Sequence, residues 1–114
     1  MPQEKLDKLL SIPLLNRVVK KKLLKALGME NVRIAFSGAA PLSPSIIDWW
    51  GKLGIEVCQG YGMSENSAYC TACLPGQNKV GSVGKPVPGS EVKIDESGEI
   101  LSRHPAVTPG YFKA

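Results

Sequence analysis

Histidine occurs once, at His104, and cysteine three times, at Cys58, Cys70 and Cys73. A structural zinc ion needs about four nitrogen or sulfur ligands, so the lone Cys70-Thr71-Ala72-Cys73 pair lacks partners to complete a metal site. A thioredoxin-type motif follows the first strand of its fold, and this one does not. Free thiols in a reducing compartment are the better reading. No apolar run approaches the ~18 residues of a membrane span. The opening MPQEKLDKLL has neither a continuous apolar core nor a small-residue cleavage site, so no signal peptide is expected and the cytosol is the expected location. Internal repeats and low-complexity linkers are absent. Aromatic residues are few and do not interleave with the basic ones. The net charge of +4 comes mostly from Arg17, Lys20, Lys21, Lys22 and Lys25 in one predicted helix. That pattern reads as a solvated helix face, and no nucleic-acid partner is expected.

What is present fits one domain with an ordinary soluble composition and a modest core. Leu6, Leu9 and Leu10 are spaced for a helix over 4–11, which Pro13 ends. Leu15, Val18, Val19, Leu23 and Leu27 predict a second helix over 14–27, closed by Gly28 as a left-handed C-cap. Val32-Arg33-Ile34-Ala35-Phe36 reads as a buried strand. Ser37-Gly38-Ala39-Ala40-Pro41 is too small and turn-rich to continue it. Ser43-Pro44 is an N-cap followed by proline at the first helical position. Ile46, Ile47, Trp49, Trp50 and Leu53 give that helix an apolar face, and Gly54 closes it. Ile55–Cys58 is a second strand, running to Gly60-Tyr61-Gly62.

The expected fold class is therefore α/β. Residues 1–29 form a helical lead-in, 30–75 a parallel strand–helix–strand unit with a right-handed crossover, and 76–114 a β-hairpin region. In the last, Glu91-Val92-Lys93-Ile94 alternates with period two, Asp95-Glu96-Ser97-Gly98 turns, and Glu99–Arg103 returns. Both small-residue bends, SGAAP and GYG, lie just past the carboxyl ends of their strands. If the strands are parallel neighbours, the bends share the edge where open α/β sheets bind ligands.

The chemistry of the two bends supports that idea without deciding it. Gly38, Ala39, Ala40 and Pro41 carry almost no side chain, so a flat ligand can lie on their peptide planes. The stretch GYGMSE sets three distinct groups in a row. Tyr61 offers an aromatic face. Ser64 sits where a helix N-terminus would favour a phosphate. Glu65 is a hard oxygen ligand of the kind Mg²⁺ prefers. The structural alternative stays open on these residues alone: Tyr61 a packing residue, Ser64 a cap and Glu65 a first-turn acid.

Three ordered stretches then carry a resemblance: FSGAAPLS (36–43), QGYGMSEN (59–66) and GSVGKPVPGSEVKIDESGEILSRHPAVTPGYFK (81–113). Together they resemble the AMP-forming adenylating enzymes (acyl-CoA synthetases, luciferases and peptide-synthetase adenylation domains), and most of all the long-chain fatty acyl-CoA synthetases. The resemblance covers about residues 30–114. It implies a partial adenylating-enzyme N-terminal domain. It implies that Gly38, Ala39, Ala40 and Pro41 line the adenine pocket and that Tyr61 stacks on adenine. Ser64, where the family often has threonine, would bond the α-phosphate, and Glu65 would help bind Mg²⁺, which makes these two the catalytic candidates. Gly60, Gly62 and Met63 would border the ligand. The implied reaction joins a carboxylate to the α-phosphorus of ATP, releasing pyrophosphate. Coenzyme A thiol then displaces AMP. The implied partners are a fatty acid, ATP and coenzyme A, and peripheral membrane association of the parent protein is compatible with them.

The family's phosphate loop with its lysine, its ribose-binding aspartate and its C-terminal lid have no counterpart in the sequence. The expectation is an internal piece, or a truncated relative, of a protein several times longer. Such a piece would not catalyse the reaction usefully alone, and its uncovered sheet edges would favour self-association. The competing expectation is a non-catalytic nucleotide-binding or interaction module of α/β type.

Overall fold

A computed structural model describes residues 2–114. Two helices open the chain, α1 (Gln3–Leu10) and α2 (Pro13–Ala26). Pro13 occupies the first turn of α2, where its missing N–H costs nothing. It starts the second helix as well as ending the first. The end of α2 is a Schellman motif. Gly28 takes φ +70°, its N–H donates to the Lys25 carbonyl, and the Met29 N–H donates to that of Leu24. The third helix, α3 (Pro44–Lys52), follows the same rule at Gly54 (φ +88°), with the Ile55 N–H donating to the Trp50 carbonyl.

Between α2 and α3 runs β1 (Ala35–Ser37), and after α3 comes β2 (Val57–Tyr61). They pair in parallel, with Ala35 opposite Val57, Phe36 opposite Cys58 and Ser37 opposite Gln59. The strand–helix–strand unit is thus present, with its strands starting three and two residues later than the sequence pattern placed them. The expectation of a buried first strand is corrected. Ile34 precedes β1 and is 62% exposed, while Phe36 is 53% exposed. β1 is an edge strand with neighbours on one side alone, so its β-branched and aromatic composition is not matched by cover.

The sheet continues through two strands too short to announce themselves. β3 (Thr71–Ala72) pairs antiparallel with the end of β2, and β4 (Lys85–Pro86) pairs antiparallel with β3. The order is β1-β2-β3-β4, parallel once and antiparallel twice. Proline is tolerated in β4 because that strand lies at the edge. Gly84 makes the pairing possible, since a Cβ there would sit 2.0 Å from the Ala72 carbonyl carbon. Pairing of β4 carries this sheet past residue 75, so the segment 76–114 serves both sheets.

The hairpin β5 (Glu91–Ile94) and β6 (Ile100–Arg103) forms the second sheet. Asp95 holds its turn. One carboxylate oxygen accepts from the Ser97 hydroxyl at 2.6 Å and from the Ser97 and Glu99 N–H groups at 2.9 Å. The Ser97 hydroxyl first, then the Glu99 N–H, hold its carboxyl below the usual range. A lowered folded pKa means the contribution is complete above the unfolded value, about 3.9, and is lost as pH falls through the folded one. Hairpin amide shifts over residues 94–100 are therefore expected to move toward coil values as pH drops below about 4. Asp95→Asn is expected to flatten that profile, as pH-resolved NMR would record.

The core is small. Ile47 on α3, with Ile55 and Val57 at the entry to β2, is buried against Leu24, Ala35, Leu42 and Trp50. No residue of α2 is fully buried, and Leu14 is 86% exposed. The radius of gyration is 18.4 Å, against about 13 Å for a compact domain of similar size. All three cysteines are buried free thiols. Cys70 and Cys73 flank β3, and residues three apart on an extended strand point to opposite faces, so the pair cannot bridge. No helix among the described residues is long and apolar enough to cross a membrane.

Candidate functional site

The parallel pairing of β1 and β2 sets the site. It brings the bend after Ser37 and the end of β2 to the same rim of the sheet. The approach is close: a Cβ on Gly38 would lie 3.3 Å from the Gly60 carbonyl oxygen. A side chain fixes the spacing as well. The buried Gln59 accepts the Leu42 N–H at 3.1 Å through Oε1, which ties the loop beyond Pro41 to β2. Gln59 is a residue that sequence reasoning missed. Its signal was a long polar side chain inside an otherwise buried strand run. Gln59→Leu leaves the Leu42 N–H without its partner and is expected to cost about 1–2 kcal/mol. Chemical denaturation would measure the loss, and hydrogen exchange would show faster opening at Leu42.

Two clefts open beside this ridge. One, of about 600 Å³, is lined by Phe36 to Ala39, by Gly60 to Ser64, and by Ser67 and Ala68. The other, of about 530 Å³, lies against Ala39 to Leu42, Gln59 to Gly62 and the Gly81–Val83 segment. Both volumes suit small-molecule sites, which run about 300–1,000 Å³. Tyr61, half-buried, borders both clefts together with Ala39, Gly60 and Gly62. Gly38, Met63 and Ser64 belong to the first cleft, and Ala40 and Pro41 to the second.

Three features differ from expectation. Tyr61 is the last residue of β2, paired with Thr71, and is therefore held by the sheet instead of standing on a free turn. Ser64 does not open a true helix: residues Ser64–Asn66 form a single 3₁₀ turn. Four or more aligned peptide units are needed for a macrodipole of any size. What Ser64 offers a phosphate is its exposed hydroxyl. Glu65 lines neither cleft. Its Oε1 accepts from the Tyr111 hydroxyl, and that bond is the chief reason its carboxyl is held below the usual range. The same bond raises the Tyr111 phenol.

Backbone strain collects here. Ala39 (φ +67°), Ser67 (φ +54°) and Ala68 (φ +58°) are non-glycine residues in the left-handed region, each costing on the order of 1–3 kcal/mol. The two consecutive ones turn the chain back so that the Ala68 N–H donates to the Met63 carbonyl at 2.8 Å. The fully buried Asn66 stabilises the reversal by accepting the Met63 N–H at 2.9 Å. His104 packs at a tilt against Tyr69 with ring centres 4.5 Å apart and accepts the Ala106 N–H through Nδ1, so its place is structural.

Each cleft can hold a flat ring against a side-chain-poor backbone and beside the Tyr61 ring, and the first has the Ser64 side chain at its edge. Glu65 is the one carboxylate of the 59–66 stretch. No cluster of three or more His, Cys, Asp or Glu suited to a metal lies among the described residues. Glu65, outside both clefts but next in the chain to the cleft-lining Ser64, is the residue that could hold a cation, as a hard oxygen ligand of the kind Mg²⁺ accepts beside phosphate oxygens and water.

Comparison with known proteins identifies the family. The family described as AMP-binding enzyme matches residues 7–112. A long-chain-fatty-acid–CoA ligase of Mycobacterium bovis is 40% identical over 98 residues, covering 86% of this chain and 16% of that protein. An anthranilate–CoA ligase of Pseudomonas aeruginosa is 35% identical over 97 residues, covering 75% of this chain and 19% of that protein. Among solved structures, the O-succinylbenzoate coenzyme A synthetase of Bacillus subtilis, in complex with ATP and magnesium ion, superimposes with a TM-score of 0.65 at 28% identity. That match covers 75% of this chain and 20% of the synthetase. The chain thus spans less than a quarter of the length of each of these proteins.

Proposed function

The chain belongs to the AMP-binding enzyme family, and from that premise we propose that it forms the adenine-side wall of an ATP-dependent, AMP-forming acyl-CoA ligase. The single observation that carries this reading is the meeting of two small-residue bends at one sheet rim, with Tyr61 beside a cleft of about 600 Å³.

Each group has a task in that reading. The backbone of Gly38, Ala39, Ala40 and Pro41 faces the purine, and Tyr61 stacks on it. Gly60, Gly62 and Met63 border the nucleotide. The Ser64 hydroxyl donates to an α-phosphate oxygen. Mg²⁺, when bound, would supply positive charge that offsets the charge of the phosphates. Glu65 is the residue that would hold it. The chain's own contribution is alignment and fixed polarity. Coenzyme A enters as the second-step acceptor. Relatives with fatty-acid and anthranilate names share this segment. The segment therefore serves nucleotide handling common to both, and a fatty acid is the proposed substrate on the higher identity. The segment alone is not expected to turn over, because it is a small part of such a ligase.

The test is a titration of the ¹³C-tyrosine-labelled chain with millimolar AMP. The signal of Tyr61 is expected to shift while that of Tyr69, packed on His104, stays put. A folded chain whose Tyr61 signal ignores AMP would defeat the reading.

A further inference from the structure

The hydroxyl of Tyr111 reaches Glu65 from 46 residues away in sequence. The contact is not isolated. The Thr108 N–H donates to the Glu65 carbonyl at 2.7 Å, and the Ser67 hydroxyl donates to the Ala106 carbonyl at 3.0 Å. The segment after β6 therefore straps the 64–67 turn at three points. Thr108 shapes the strap's end by donating its hydroxyl to the Gly110 carbonyl at 3.0 Å. The Tyr111 ring itself is 69% exposed, so it is not an apolar anchor. Its specific contact is polar, and its target is the carboxylate next in the chain to the cleft-lining Ser64.

We infer that Tyr111 is a positioning residue for Glu65: its hydroxyl holds Oε1 and so fixes the carboxylate that would hold the Mg²⁺ of a Mg²⁺–nucleotide. The inference rests on the nucleotide reading above and adds a residue to it. A carboxylate at the protein surface has free rotamers unless something holds it, and a cation that binds it must first order them. A donor fixed by a second strand of chain removes that cost beforehand. Ligating carboxylates are commonly oriented in this way by hydrogen-bond partners outside the coordination sphere. The strap also couples the two ends of the segment. Ordering of 106–111 and ordering of 64–67 become one event.

The experiment compares the 114-residue chain with Tyr111→Phe, Glu65→Gln and the double variant. Tyr111→Phe removes one exposed hydroxyl and leaves the ring, so folding is preserved, and Tyr69→Phe serves as a matched control. Without nucleotide, hydrogen exchange at the Thr108 N–H is expected to quicken in Tyr111→Phe and not in Tyr69→Phe. With ATP, binding is measured by the Tyr61 signal in EDTA and in MgCl₂. Tyr111→Phe is expected to keep the EDTA affinity and to lose about tenfold of the gain that Mg²⁺ provides. Glu65→Gln is expected to lose that gain too, and the double variant to lose no more than Glu65→Gln. A full Mg²⁺ gain in Tyr111→Phe, or unchanged Thr108 exchange, overturns the inference alone. A wild-type Tyr61 signal indifferent to ATP overturns the nucleotide reading, and the inference with it.

Discussion

Gly62→Ala is expected to lower the stability of the chain by about 3 kcal/mol and to abolish its response to AMP. The reason is space. A Cβ on Gly62 would lie 2.5 Å from the Cα and carbonyl carbon of Ala68. Those are backbone atoms and cannot swing aside as a side chain would. The turn that would have to give way is already strained, since Ser67 and Ala68 both hold positive φ. It is also pinned, by Asn66 to the Met63 N–H and by the Glu65 carbonyl to the Thr108 N–H. Moving Ala68 outward would break one of these, and moving Gly62 would break the Tyr61–Thr71 register. Differential scanning calorimetry should show the midpoint lowered by about 15 °C. A variant with an unchanged midpoint would mean that the 63–68 turn is not packed on the end of β2.

The second large effect is on binding alone. Tyr61→Ala is expected to weaken AMP by about tenfold to a hundredfold, because base–aromatic stacking contributes about 1–3 kcal/mol per ring. The register of Tyr61 with Thr71 is a backbone matter, so alanine keeps the strand. Tyr61→Phe keeps the ring and should bind within about threefold of the parent chain. Isothermal titration or the amide shifts of Gly60 and Gly62 would give both values. Equal losses in the phenylalanine and alanine variants would assign the contribution to the hydroxyl and remove stacking from the account.

Much of this frame was legible in the sequence because it is written in short-range signals. Gly28 and Gly54 mark helix ends by conformations that only glycine adopts cheaply, Pro44 marks a helix start and Pro13 the break between the first two helices. Period-two alternation over 91–94 gave the hairpin, and Asp95 gave its turn. The candidate site followed from topology, since one parallel pairing suffices to set two strand-end bends side by side.

What escaped was tertiary. β3 and β4 have two residues each, too few for any period to show, and they exist through backbone pairing alone. The apolar residues of α2 and its C-cap fall on a periodic pattern, yet Leu15, Val18 and Leu27 are 41–53% exposed. Periodicity says which face is apolar and not how much of it is covered. Ser64 was read as a helix start because serine caps helices, but the chain leaves the turn after Asn66, where Ser67 enters the left-handed region. The bond between Tyr111 and Glu65 spans the second sheet and has no local signature.

The measurement that bears most directly on the shared rim is a set of intermolecular nuclear Overhauser effects in the AMP complex of the labelled chain. Contacts from one adenine ring to the Tyr61 ring and to the methyl groups of Ala39 or Ala40 are the predicted result, because both bends then touch the same purine. Contacts to one bend with silence from the other, in a saturated sample, would contradict the account.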